Sequence, residues 1–201
     1  GPDYQSFIEY KTSYSFHSRL AIQDLSVDSN QPYIGEDGSI MVFNGEIFNW
    51  PDIYNKLNFS KVKVPKSDTQ FLFLLLQKGL LKKYISSFKG FFAFVYFDPN
   101  SSSITVARDC FGVKPLYYSL INNKYLVFSS TSEATSMHPY INCDLDPKSI
   151  DLFIRYGFFS HNSSPYKNIN QVNPGKLYNF ELDENQHFIR INEEKDFGIK
   201  T

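Results

Sequence analysis

Residues Ile40 to Trp50 read IMVFNGEIFNW. Apolar residues run up to Asn44-Gly45, continue past it, and enclose a single carboxylate, Glu46. On propensity alone this is a strand running into a tight turn, because Asn-Gly accepts the positive φ angles of a type I′ hairpin. The other reading is that Asn44, Gly45 and Glu46 build a site, although the dipeptide by itself favours the turn. The local pattern leaves both readings open, so the decision falls to the sequence around it.

The chain has 201 residues, 42% of them hydrophobic, enough to bury a core within one domain or one domain with a small appendage. Twenty Phe and 14 Tyr, many in short alternating runs, predict a strand-rich core. Basic and acidic residues nearly cancel, 20 against 21, which leaves no electrostatic footprint for nucleic acid or an anionic membrane. No apolar run reaches the roughly 18 to 20 residues of a membrane span, and GPDYQSFIEYKTSYSF has neither the basic end nor the apolar stretch of a signal peptide. A soluble, cytoplasmic protein is the expectation. Cys110 and Cys143 form neither a metal-spacing pair nor a disulfide framework, and are expected to be small buried residues in a reducing compartment. His17, His138, His161 and His187 likewise lack metal-like spacing.

Turn residues bracket eight predicted strands: 6–10, 14–21, 39–43, 91–98, 103–108, 116–120, 125–129 and 176–181. Three helices are predicted. Asn49 to Leu57 has Pro51 after a capping Asn, and Ser67 to Gly79 starts with Ser67 or Asp68 as cap and is apolar enough to be buried. Pro147 to Tyr156 follows the cap candidate Asp146 and presents Ile150, Phe153 and Ile154 on one face. The stretch after Gln186 reads as a final strand and then a polar tail.

Taken in order, GPD at Gly1 to Asp3, HSRLAIQDLS at His17 to Ser26, NGEIFN at Asn44 to Asn49 and SDT at Ser67 to Thr69 resemble the glutaminase domain of asparagine synthetases, a class II glutamine amidotransferase. The resemblance continues through FKGFFAFVYFD (88–98), ARDCFGVKPLYY (107–118), FSSTSEA (128–134) and RYGFFSHNSSPYKNINQVNPGKLY (155–178). Gln23, Phe48 and Cys110 depart from the commonest family residues. The implied fold is α+β, an N-terminal-nucleophile hydrolase (Ntn) sandwich in which two antiparallel sheets lie between helical layers. The implied reaction hydrolyses glutamine to glutamate and ammonia, which a second, ATP-using domain consumes to amidate aspartate or a related carboxylate.

A glutamine site needs one fixed cation for the α-carboxylate, anions for the α-ammonium, and donors for the oxyanion. By the resemblance, Arg19 clamps the carboxylate, a task suited to a guanidinium fork. Asp68, helped by Glu46, holds the ammonium, while Ile22 and Gln23 offer backbone contacts. The Asn44 side-chain amide and the Gly45 backbone N–H form the oxyanion hole, where such donors contribute about 2.7 to 4 kcal/mol. Arg108-Asp109 is read as scaffold. In the family the nucleophile is an N-terminal cysteine, and neither Cys110 nor Cys143 has a free amine or an obvious activating histidine beside it.

The resemblance therefore divides the chain into residues 1–190, a glutaminase domain without its first strand and nucleophile, and 191–201, a tail or linker toward a synthetase domain. These 201 residues are expected not to hydrolyse glutamine by themselves. Neither a phosphate-cradling glycine loop nor a Ser-Gly-Gly-x-Asp-Ser pattern occurs, so no cofactor is expected here, and ATP and Mg2+ are assigned to the synthetase domain. The expected partners are glutamine and that C-terminal domain, with room for a homodimer and no role for nucleic acid or membrane. The alternatives are a non-catalytic regulatory or interaction module that retains the fold, and another Ntn enzyme such as a phosphoribosyl amidotransferase or a hexose-phosphate aminating synthase.

Overall fold

The computed structural model describes residues 2–10, 13–19, 29–57, 64–160 and 162–198. Its centre is a six-stranded antiparallel sheet. In chain order its members are β3 (Tyr33–Ile34), β4 (Ile40–Ile47), β5 (Gly90–Asp98), β6 (Ser103–Arg108), β10 (Lys176–Leu182) and β11 (Phe188–Asp196). They lie side by side as β11-β10-β6-β5-β4-β3. Phe92, Phe94 and Tyr96 of β5 face one side with Met41, Phe43 and Ile47 of β4, while Ala93 and Phe97 face the other. Both sides are apolar because both are covered, which explains the continuous aromatic run Phe91 to Phe97.

Asn44-Gly45 does not turn the chain. β4 runs unbroken from Ile40 to Ile47, paired throughout with β5 from Ile40↔Phe97 to Ile47↔Gly90. The expected turn is thus corrected to a strand interior. Gly45 sits at φ +139°, where a Cβ would collide with the Phe91 carbonyl oxygen and lie 2.6 Å from Phe92 Cα. Glycine is needed there for close approach between two strands, a demand that resembles a turn preference when only the dipeptide is read.

α2 (Asp68–Gln77) and α3 (Leu81–Tyr84) cover one face of the sheet. Leu72 and Phe73 pack on it, while Phe71 and Leu75 meet Ile53 of α1 (Trp50–Asn55). α2 is apolar nearly all round because it is sandwiched. Asn49 occupies the cap position of α1 without capping it; its amide instead donates to Ser87 O and accepts from Lys89 N.

The opposite face carries two smaller antiparallel sheets. One is the hairpin β1 (Tyr4–Tyr10) and β2 (Ser13–Arg19), and the other is ordered β8-β7-β9 from β7 (Tyr117–Ile121), β8 (Tyr125–Ser129) and β9 (Asn170–Gln171). Ile8 and Tyr10 of the hairpin join Ile40, Phe97 and Leu182, with Leu126 of β8 in the same cluster. Tyr118 and Phe128 pack on Phe180. Beyond this layer Ile121, Ile141 and Ile169 close the outer side together with α4 (Ser132–Ser136). The result is the helix, sheet, sheet, helix order expected of an Ntn sandwich.

Two further expectations change. Residues 191–196 continue β11 against β10 and are not tail. α5 (Pro147–Tyr156) forms at its expected bounds with Asp146 as cap, and its apolar face stays open, Ile154 being 75% exposed. Cys143 is exposed, its thiol donating to Ser136 O, and Cys110 is half-buried.

Candidate active site

β3 pairs only with Ile40 and Met41, so beyond them no described strand is hydrogen-bonded to the edge of β4 opposite β5. Backbone groups on such an edge need other partners. Phe43 N donates to the Gln31 side-chain oxygen at 2.6 Å, and Ile47 N donates to Asp68 Oδ2 at 3.0 Å. Strand alternation turns Gly45 N–H to this same edge, midway between them, and no described residue accepts from it. Alternation also places the Asn44 and Glu46 side chains together on the sheet face opposite α2.

Asp68 opens α2. Ser67, with extended backbone at φ −146°, is the cap and accepts from Gln70 N, which settles the choice between Ser67 and Asp68. Asp68 is 8% exposed and also accepts from Thr69 N at 2.7 Å. Its burial pushes the carboxyl above the usual range, against the opposing hydrogen bonds from Ile47 and Thr69. Glu46 is also raised, by burial first and then by the charge of Asp68, while Lys114 pulls it down. Lys114 Nζ lies 5.5 Å from the centre of the Phe91 ring, and Phe91 is the cross-strand partner of Glu46.

Arg19 ends β2, and its guanidinium donates to Asn30 Oδ1 at 2.7 Å. Next to Asn30, Ser29 Oγ donates to Ser67 Oγ at 2.8 Å. The His17 ring of β2 lies near the Phe43 backbone of β4, and its Nδ1 has no partner among the described residues. Burial, reinforced by Arg19, lowers the His17 pKa, so the ring is neutral at pH 7. Arg19, Asn44, Gly45, Glu46 and Asp68 thus belong to three elements joined by short hydrogen bonds. Ile22 and Gln23 lie outside the described residues.

Arg108-Asp109 is built as scaffold. The Arg108 guanidinium donates to the carbonyls of Gly112, Lys114 and Val172 and to the Gln171 amide oxygen. Asp109 accepts from the backbone N–H groups of Phe92, Phe111, Val113 and Lys114. These bonds fix the loop that presents Lys114 to Glu46, a contribution that the sequence pattern did not reveal. Burial and then Asp109 raise the Cys110 thiol, the opposite of what an attacking thiolate requires.

An anion pair, a cation and an unpartnered backbone donor beside a carboxamide suit an amino acid with a reactive side-chain carbonyl. Among the described residues no group of three or more His, Cys, Asp or Glu could hold a metal ion, and no helix is long and apolar enough to cross a membrane. An open cleft of about 520 Å³ between Lys82, Ser103, Asn179 and Glu181 lies over β6 and β10, two strands or more from β4.

Residues 1–190 match the family model described as a glutamine amidotransferase domain. Asparagine synthetase [glutamine-hydrolyzing] 2 of Bacillus subtilis is 33% identical over 142 residues, covering 70% of this chain and 18% of the relative. A putative asparagine synthetase [glutamine-hydrolyzing] 2 of Methanocaldococcus jannaschii is 30% identical across 92% of this chain and 39% of its own length. The chain therefore spans well under half the length of either. Among solved structures, glutamine phosphoribosylpyrophosphate amidotransferase of B. subtilis superposes with a TM-score of 0.56 at 20% identity, over 92% of this chain and 35% of that one, which supports the fold.

Proposed function

Since the chain belongs to the glutamine amidotransferase domain family, we propose that it binds glutamine and, in the intact protein, takes part in hydrolysing its side-chain amide to glutamate and ammonia. The observation that carries this reading is the open edge of β4, where Gly45 N–H is bracketed by two occupied neighbours and has no described partner. A donor already fixed in place before charge develops is what lowers the barrier to a tetrahedral oxyanion. Asn44 supplies the second donor.

Arg19 receives the α-carboxylate, and Glu46 and Asp68 receive the α-ammonium. Asp68 spends part of its acceptor capacity on Ile47 and Thr69, but an ionised carboxylate has about four acceptor sites. Ile22 and Gln23 are assigned backbone contacts to the substrate. Cys110 and Cys143 have no part in the attack.

In the intact protein the ammonia is passed to an ATP- and Mg2+-dependent synthetase domain that amidates aspartate or a related carboxylate, in keeping with the names of the relatives. That domain and glutamine are the partners, a homodimer is compatible, and two free thiols suit the cytoplasm. The glutaminase domain extends through β11 to Asp196 and the core residue Phe197, and the segment after it leads toward the synthetase.

The test supplies the intact protein with amide-labelled 15N-glutamine, ATP and aspartate. Glutamate release with the label recovered in a product amide is expected. Binding of glutamine without glutamate release would replace hydrolysis with a sensing or interaction role, and absence of binding would overturn the reading.

A further inference from the structure

Ser29, Asn30 and Gln31 are adjacent in sequence, and each reaches a different element. Ser29 Oγ donates to the hydroxyl of Ser67, the residue before Asp68. Asn30 Oδ1 accepts from Arg19 itself. Gln31 Oε1 accepts from Phe43 N, the residue before Asn44. Ser29 and Gln31 are 4% and 6% exposed, so these are buried bonds with little competition from water.

From this geometry we propose that Ser29, Asn30 and Gln31 are positioning residues for glutamine hydrolysis, each aligning one part of the site. The proposal rests on the reading of this site as a glutamine site. A segment that only satisfied stray polar groups would have no reason to end each bond on, or one residue from, a different ligand of the substrate.

Each bond has its own kinetic consequence. Gln31 fixes the peptide that leads into Asn44 and Gly45, whose task arises only as the oxyanion forms, so its loss falls on kcat. Asn30 sets the plane of the Arg19 guanidinium, which grips glutamine equally before and during reaction, so its loss falls on KM. Ser29 acts on the start of α2, and through it on Asp68, so its loss also falls on KM but more weakly.

The experiment measures glutamate release by the intact protein. Gln31→Met is expected to lower kcat about 10- to 100-fold, the scale of a small misplacement of reacting groups, with KM changed less than about threefold. Gln31→Glu, which keeps the acceptor oxygen, recovers most of that loss. Asn30→Ala is expected to raise KM about tenfold with kcat within about twofold, and Ser29→Ala to raise KM about threefold.

Parallel changes in kcat and KM across the three variants, or no change in any of them, would overturn the proposal. Should Gln31→Met fail to fold, Asn30→Ala and Ser29→Ala decide it by the same criterion. Arg19→Ala separates the two levels. If it leaves glutamine kinetics unchanged, the glutamine reading fails. If it abolishes them while Asn30→Ala behaves as wild type, only the positioning role fails.

Discussion

Asp109, 1% exposed, gathers the N–H groups of Phe92, Phe111, Val113 and Lys114, whereas Asp68, 8% exposed, accepts from Ile47 and Thr69. Both carboxylates are buried, and both tie a turn or helix start to the central sheet. The first has its acceptor sites filled by the backbone and closes a loop around itself. The second keeps capacity in reserve beside another carboxylate and an open strand edge. Burial alone therefore does not mark a functional acid; the difference lies in how far the fold has already satisfied it.

The largest expected effect comes from the filled carboxylate. Asp109→Ala strands four buried or half-buried N–H groups and should cost about 4 kcal/mol, lowering Tm by roughly 8 to 16 °C in a thermal melt. A shift under about 3 °C would remove the scaffold half of the comparison.

Asp68→Asn should do the reverse. It removes a buried charge while keeping one acceptor, so stability is expected to change by less than about 1 kcal/mol. Affinity for glutamine should fall about 100-fold, because the ammonium loses its charged partner. Equal damage to stability and affinity would place Asp68 in the same class as Asp109.

The pH dependence is smaller and has two signs. Asp68 and Glu46 have folded-state pKa values above their ordinary ones, so the folded chain holds their protons more tightly than the unfolded chain. Their contribution to stability is present below the ordinary carboxylate range and is lost as pH rises through the raised values. The proposed grip on the ammonium needs the ionised forms, so across that window affinity for glutamine is expected to rise with pH while this part of the stability falls. Denaturant titrations and glutamine titrations over the same pH series check both signs, and a parallel trend would contradict the assignment.

How much of this was legible in sequence differs between residues for physical reasons. The strands Ser103–Arg108 and Tyr125–Ser129 and the helix Pro147–Tyr156 fall at their predicted bounds, because local turn and cap residues bracket them. Asn44-Gly45 was misread as a turn because the need for glycine comes from the backbone of β5, some fifty residues away in sequence. The Phe188–Asp196 strand is mostly polar and lies at the sheet edge, so its second half looked like a tail.

The residues proposed to hold glutamine, Arg19, Asn44, Glu46 and Asp68, could be nominated because each sits in a recognisable motif. Ser29, Asn30 and Gln31 could not, because the meaning of SNQP lies in the elements those side chains reach. Lys114 was hidden in the same way, since its loop is placed by Asp109 and its charge acts on a residue of another strand.

The central claim is that the cluster at the end of β2, the open edge of β4 and the start of α2 is a glutamine site. Equilibrium titration of glutamine onto the intact protein and its Arg19→Ala variant, with thermal melts in parallel, tests it most directly. The account predicts saturable binding by the wild type and a loss of at least about 100-fold in the variant, with Tm essentially unchanged. Undiminished binding by a folded Arg19→Ala protein would contradict it.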